Sequence, residues 1–371
     1  LTDYKKYNNV KLGLNIAKGI AGFLLLIAFL WFGYSAMFAD YLRRFTANNY
    51  VLFLLFTFGA GAGSAIIFSP LSFYTDFYLE HKYNLSNQTF MAFLWENAKG
   101  IMLGFVIGVP LLLVFYYALN TYGSLWWLPF AIILFLLSVV MAKIAPVIIM
   151  PLFFKVTPLD NVELVERIRK LAVEAGIKVE NVFKFNMSKD TKKANAAFAG
   201  LGKSKRILLG DTLLSGFTED EIETVIAHEL GHYKHKHIIK NIIIATVSSF
   251  LTLFLIAYLY EKSLLLFNFT SITQIAALPL IALWASVIGF IQTPLTNIIS
   301  RKFEYEADQY AVKATLKPDS FIVTLNKLTE QNLGDREPHP VVEWYFYSHP
   351  SIKKRTDAIK DFCKNNNIAL G

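Results

Sequence analysis

The sequence predicts a mostly α, polytopic membrane protein that also carries a smaller, water-exposed α+β part. Three observations predict it. Hydrophobic residues make up 54% of the 371 residues, charged residues only 17%, and the mean hydropathy is +0.42. A soluble domain carries about 25% charged residues, so this chain has too much apolar surface for one soluble core and too little polarity for disorder. Six uncharged or nearly uncharged stretches reach the roughly 20 residues that a bilayer core demands. The charge is gathered instead in residues 151–237 and 301–371. With 20 Gly and a single Cys, Cys363, collagenous and disulfide-rich classes are excluded.

The apolar stretches run, in order, Gly19 to Ala39, Tyr50 to Pro70, Gly100 to Leu119, Leu125 to Ala142, Asn241 to Tyr260 and Thr273 to Ser300. The first is too long for a signal-peptide core and lacks a cleavage site. Leu1 in place of Met predicts a start that is processed, tagged or trimmed. Gly59-Ala-Gly-Ala-Gly63 resembles a phosphate loop only superficially: it lies inside an apolar helix, with no strand before it. Its four-residue Gly spacing predicts close helix packing in lipid. Asn84-Leu-Ser86, Asn87-Gln-Thr89 and Asn268-Phe-Thr270 are triplets common by chance.

The chain divides into four parts. Residues 1–150 form a membrane domain with four spans. Residues 151–237 form a soluble unit with a helix from Val162 to Ala175, short strand runs at Val182–Met187, Ala194–Ala199 and Arg206–Leu209, and a β-hairpin turning at Gly200-Leu-Gly-Lys-Ser-Lys205. Residues 238–300 form a transmembrane hairpin, and 301–371 a helical soluble tail. Lys5, Lys6, Lys11, Lys82, Lys99 and both soluble segments fall on one side of the membrane; Arg43, Arg44 and Lys262 fall on the other. The positive bias places the soluble segments in the cytoplasm, at the inner membrane of a bacterium or the endoplasmic reticulum of a eukaryote. The formal charge of +8 fits an anionic membrane surface. No nucleic-acid motif accompanies it, so no nucleic-acid partner is expected.

The chemistry is concentrated in Ala227-His-Glu-Leu-Gly-His-Tyr233. Thr218 and Glu221 form a capping-box pattern that starts a helix, and no Pro follows until Pro279, so the helix is expected to run from Glu219 to about Tyr260. His228 and His232 lie one turn apart and can both reach one Zn²⁺. Glu229, beside them, can polarise a water rather than bind metal. His235 and His237 sit too far along such a helix to join and are expected to face headgroups or water. A catalytic zinc wants a third protein ligand and an open position. Glu304, in Arg301-Lys-Phe-Glu-Tyr-Glu-Ala-Asp308, returns to the same membrane face and is the better candidate. Asp308 shares its helix face and can accept a hydrogen bond from a ligand imidazole; Glu306 points elsewhere.

These motifs resemble the type I CAAX prenyl endopeptidases, integral-membrane zinc metalloproteases of gluzincin type. The resemblance extends to Ser69-Pro-Leu-Ser-Phe-Tyr, Glu80-His-Lys-Tyr-Asn-Leu-Ser-Asn-Gln-Thr89, Ala194-Asn-Ala-Ala-Phe-Ala-Gly200, Ile207-Leu-Leu-Gly-Asp-Thr-Leu-Leu214, Lys240-Asn-Ile-Ile-Ile244, Asn332-Leu-Gly334 and Tyr347-Ser-His-Pro350. It covers about residues 65–355. It implies a hollow helical chamber in the membrane, capped by a zincin-like α+β metalloprotease domain. It implies one zinc per chain on His228, His232 and Glu304, with Glu229 as general base and acid. It further implies that Asn195 bonds the backbone of a substrate strand and that His349 holds the tetrahedral oxyanion. Arg355 matches a family Arg, read as an ion-pair partner near the site. The expected substrate is a peptide or protein, lipid-modified near its C-terminus, met at the bilayer.

Two departures stand out. The family carries one more span than the six counted here, so either a helix precedes Leu1 or the chamber wall is open. Gly216-Phe-Thr218 leads straight into the zinc helix without the long charged insertion of eukaryotic members, which marks a compact, prokaryotic-type member. Two rival functions fit less of the sequence. One is a stress-type membrane protease that clears misfolded membrane proteins. The other is a non-enzymatic transporter or channel with structural zinc, although the spans lack the buried charges of ion pathways.

Overall fold

The computed structural model describes residues 2–177, 182–200 and 206–370. Leu1 and most of the expected hairpin turn, residues 201–205, lie outside the described residues. Six helical segments are long and apolar enough to cross a membrane: Asp3–Trp31, Asn49–Lys82, Phe90–Leu125, Trp127–Phe153, His237–Ser263 and Ile275–Thr315.

The membrane part begins with α1 (Asp3–Trp31), a break at Gly33, and the short α2 (Tyr34–Arg43). The expected first span therefore ends near Trp31: Gly33 adopts φ +74°, a left-handed conformation that costs Gly little. Next come α3 (Asn49–Phe73), α4 (Leu79–Lys82), α5 (Phe90–Tyr122), α6 (Trp127–Ile144) and α7 (Met150–Phe153). Wider π-helical turns join α3 to α4 and α6 to α7. Pro70 lies inside α3 and leaves the Ile66 carbonyl without its helical donor. The Ser69 hydroxyl donates to that carbonyl at 3.0 Å.

The soluble part follows. β1 (Val156–Pro158), α8 (Val162–Glu174), β2 (Val182–Phe185), β3 (Ala196–Ala199) and β4 (Arg206–Gly210) build one sheet in the order β1-β2-β4-β3. β3 and β4 pair antiparallel, with Ala197 opposite Leu208, as the hairpin pattern predicts. α9 (Asp211–Gly216) leads into α10 (Glu219–Lys234). α10 opens with the predicted capping box: Glu221 N–H donates to Thr218 Oγ1 at 3.3 Å, and Thr218 N–H to Glu221 Oε2 at 2.7 Å.

The helix does not continue to Tyr260. α10 stops at Lys234, and α11 (His237–Ser263) starts after Lys236, which adopts φ +58°. No Pro or Gly marks this break. Its consequence is local. In an unbroken helix His237 would point about 140° away from His232. Here the break turns His237 back, buried with 1% exposure, onto His232. The expectation that His237 faces headgroups is therefore corrected.

α12 (Pro279–Thr315) spans 37 residues, about 55 Å. Its first part is apolar; from Arg301 onward it carries charge into the soluble part. Pro294 frees the Phe290 carbonyl, which accepts the Tyr345 hydroxyl at 2.9 Å. α13 (Pro318–Gln331), α14 (Pro340–Phe346) and α15 (Ile352–Asn365) complete the chain. α10, α12, α13 and α15 pack with the sheet and α8 around one core that includes Ile168, Leu209, Ile226 and Val312. A separate core joins the membrane helices around Leu52, Tyr116, Leu119 and Tyr260.

The membrane helices line an apolar cavity of about 740 Å³, bounded by Gly22, Phe38, Phe53, Gly59, Gly63 and Leu278 among others. The close packing expected of this pair holds for Gly59 and not for Gly63. A Cβ on Gly59 would meet the Phe38 ring at 2.7 Å, but one on Gly63 would meet nothing. Close packing explains the first glycine, and the second opens onto the cavity.

One end of the membrane part is tied to the soluble part by charge. Glu80 takes Lys11 at 2.5 Å, Lys193 at 2.8 Å and the Tyr7 hydroxyl at 2.5 Å. Lys5 pairs with Asp335 at 2.7 Å. The N-terminus, the 79–90 segment and the soluble part thus share one side, as the six-span count requires.

Thr218→Ala removes the cap of α10 and is expected to cost about 1 kcal/mol, a drop on the order of 2 °C in the thermal midpoint in detergent. Thr218→Ser is expected to restore it. Unfolding followed by intrinsic fluorescence checks this.

Candidate metal centre

The site is built where α10 crosses α12. A Cβ on Gly231 would lie 3.0 Å from both the Cα and the carbonyl oxygen of Ala307. Only Gly lets the two backbones approach this closely. The contact sets His228 and His232, on either side of Gly231 along α10, against Glu304 on α12.

The three side chains converge. His228 Nε2 and His232 Nε2 are 3.2 Å apart, Glu304 Oε2 is 3.4 Å from the first, and Glu304 Oε1 is 3.3 Å from the second. Donors held at 2.0–2.1 Å around a tetrahedral zinc are about 3.3 Å from one another, so the spacing fits. The donor chemistry fits too. Two imidazole nitrogens that share no proton repel at this distance. Glu304 Oε2 is buried with no hydrogen-bond partner among the described residues. A cation between the three atoms satisfies all of them.

The surroundings ask for positive charge. Burial alone would lower the His228 pKa, yet the Asp308 and Glu304 carboxylates beside it outweigh burial and raise it to about 9. Asp308 Oδ1 lies 2.9 Å from His228 Nδ1 as an ion-pair neighbour, while that nitrogen is buried with no hydrogen-bond partner among the described residues. Arg355 grips the same carboxylate with two bonds, Nε to Oδ2 at 2.9 Å and an Nη to Oδ1 at 2.6 Å. Burial opposes charge on Arg355, but Asp308 more than compensates and raises its pKa further. Arg355 is also 3.8 Å from Glu304. It holds Asp308 in place and sits behind the site.

Glu229 follows His228 on α10, is half-buried, and makes no hydrogen bond among the described residues. His349 sits at the open rim, its side chain 63% exposed, with Nε2 3.4 Å from Glu304 Oε1 and Nδ1 3.0 Å from the Ser348 hydroxyl. Asn195 is exposed and lies one residue before β3 rather than within it; its carbonyl accepts Gly210 N–H at 3.0 Å. β3 is the outer strand of the sheet and lies beside α10, with Phe198 and Tyr233 in edge contact at 5.4 Å.

Two features escaped the sequence reading. Gly231 sits inside the motif, and its tolerance for a crossing helix shows only once α12 is in place. Glu306, expected to point elsewhere, meets His237 Nε2 at 2.9 Å. His237, the second histidine after the motif, was its only trace.

Comparisons with known proteins agree with this geometry. Residues 158–362 match the model of peptidase family M48. Residues 2–155 match a model described as CAAX prenyl protease N-terminal, five membrane helices. The chain is 30% identical over 362 residues to an uncharacterized metalloprotease of Bacillus subtilis, YhfN, covering 95% of this chain and 83% of the relative. It is 33% identical over 316 residues to CAAX prenyl protease 1 of Saccharomyces cerevisiae, covering 80% and 69%. Among solved structures, Ste24p of S. mikatae superposes with a TM-score of 0.84 at 28% identity, covering 96% of this chain and 88% of that one.

Gly231→Val is expected to push α12 away and reduce bound metal to well below one per chain, with Gly231→Ala intermediate. Elemental analysis of the purified variants checks this.

Proposed function

The chain belongs to peptidase family M48 and is a multi-pass membrane metalloendopeptidase; from that premise we propose that it uses one zinc, on His228, His232 and Glu304, to cleave lipid-modified proteins near their C-terminus. The observation that supports the reading is the convergence of those three donor groups within hydrogen-bonding range of one another, at the membrane face of α12. The prenylated CAAX substrate class follows the names of the yeast and plant relatives. In this reading residues 1–150 and 238–300 receive the lipid-bearing end of the substrate. Residues 151–237 and 301–371 carry out the hydrolysis on the cytoplasmic side.

Zinc bound there would supply a Lewis acid that polarises the scissile carbonyl and a water. Glu229 takes the proton of that water and passes it to the leaving amine. His349 Nε2–H donates to the oxyanion of the tetrahedral intermediate. Its exposure at the rim leaves room for the substrate to reach it. Asn195 and the free edge of β3 bind the substrate backbone as an added strand. Asp308, 2.9 Å from His228 Nδ1, favours the proton on that nitrogen and so leaves Nε2 for the metal, and Arg355 keeps Asp308 aimed.

Two expectations test the reading. Glu229→Gln is expected to retain its zinc and lose about 10²–10⁴-fold in kcat on a farnesylated CAAX peptide, measured by product mass spectrometry. Retained zinc with parental turnover would exclude Glu229 as the proton carrier. Dialysis against a chelator is expected to abolish cleavage, and one equivalent of zinc to restore it. Faster cleavage of an unfolded membrane protein than of the farnesylated peptide would contradict the substrate class.

A further inference from the structure

We propose that His237 and Glu306 form a positioning relay that fixes the proton on His232 and so keeps its Nε2 free to bind metal. The inference rests on His232 being a metal ligand and extends that reading to residues with no role in it so far.

Glu306 is a carboxylate and can only accept. His237 Nε2 lies 2.9 Å from its Oε2, so that nitrogen carries a proton. A neutral imidazole has one donor and one acceptor nitrogen, which leaves His237 Nδ1 with a lone pair. That Nδ1 is 3.0 Å from His232 Nδ1. Two lone pairs cannot face each other at this distance, so His232 Nδ1 carries the proton and donates it. The lone pair of His232 is therefore at Nε2, the atom that faces His228 Nε2 at 3.2 Å and Glu304 Oε1 at 3.3 Å. The opposite protonation would place a hydrogen where the metal must sit.

The relay is held rigidly. His237 is 1% exposed, and its ring stacks on Phe303, with centroids 4.1 Å apart and planes 8° from parallel. Lys240 Nζ lies 3.8 Å from Glu306 Oε2. The break at Lys236 exists in the right place for this contact, since an unbroken helix would carry His237 away from His232. The arrangement mirrors Asp308 behind His228, with an imidazole inserted between carboxylate and ligand.

The test uses the full chain in detergent. Zinc affinity is read by competition with a chromophoric chelator, and ligand geometry by the visible spectrum of the cobalt-loaded protein. His237→Phe keeps the stack on Phe303 and removes both nitrogens. It is expected to bind zinc about 10–100-fold more weakly and to shift the cobalt bands. His237→Gln, whose amide can accept from His232 and donate to Glu306, is expected to recover most of the affinity. Affinity within about twofold of the parent for His237→Phe, with an unchanged cobalt spectrum, would overturn the proposal. Should His237→Phe fail to fold, the half-exposed Glu306 decides by the same readout. Glu306→Leu is expected to weaken zinc binding and Glu306→Gln, which still accepts, to retain it; equal affinities for the two would overturn the relay. His232→Ala separates the levels: parental zinc affinity in that variant would refute the ligand reading itself rather than the relay.

Discussion

The contact between Gly231 and Ala307 is what the rest of the site depends on. α10 belongs to the soluble part and α12 rises out of the membrane, so their crossing is where the two halves of the molecule meet. A side chain at position 231 would hold the backbones apart, and donor atoms spaced at 3.2–3.4 Å would separate with them. Because α12 is one helix from Pro279 to Thr315, the same crossing ties Glu304 rigidly to the apolar first part of that helix. The Tyr345 hydroxyl on the Phe290 carbonyl repairs the bond lost at Pro294 and keeps that helix continuous.

The electrostatics follow from this crowding. Glu304 and Asp308 bring two buried negative charges, and Arg355 returns one positive charge. Each unpaired buried charge costs several kcal/mol, so the pocket is left with an appetite for a cation. The raised pKa of His228 expresses it with a proton, and a divalent ion satisfies it more fully while leaving the imidazoles neutral. In the proposed scheme Arg355 would neutralise Asp308, Asp308 would orient His228, and His237 with Glu306 would orient His232.

Much of this was legible in the chain. The six spans follow from length and charge exclusion, and His228, Glu229, His232 and Glu304 from helical spacing and from the sidedness of a hairpin. Asp308 follows from Glu304 by one turn. The break between α10 and α11 was not legible, because Lys236 has good helix propensity and its left-handed φ leaves no mark in hydrophobic pattern. The prediction for His237 failed for that reason alone. The glycines of residues 59–63 were legible as small residues in lipid but not as a cavity wall, since spacing shows which residues share a face and not what stands opposite. Asn195 and His349 rested on family resemblance; they occupy an edge and a rim, where a lone sequence holds little information.

The claim at the centre of this account is that three side chains, and no others, hold one zinc. X-ray absorption at the zinc edge of the purified chain measures it directly. The account predicts one zinc with two imidazole nitrogens and carboxylate or water oxygens at about 2.0–2.1 Å, losing a ligand oxygen in Glu304→Ala. A sulfur neighbour, a third imidazole, or a spectrum unchanged by Glu304→Ala would contradict it.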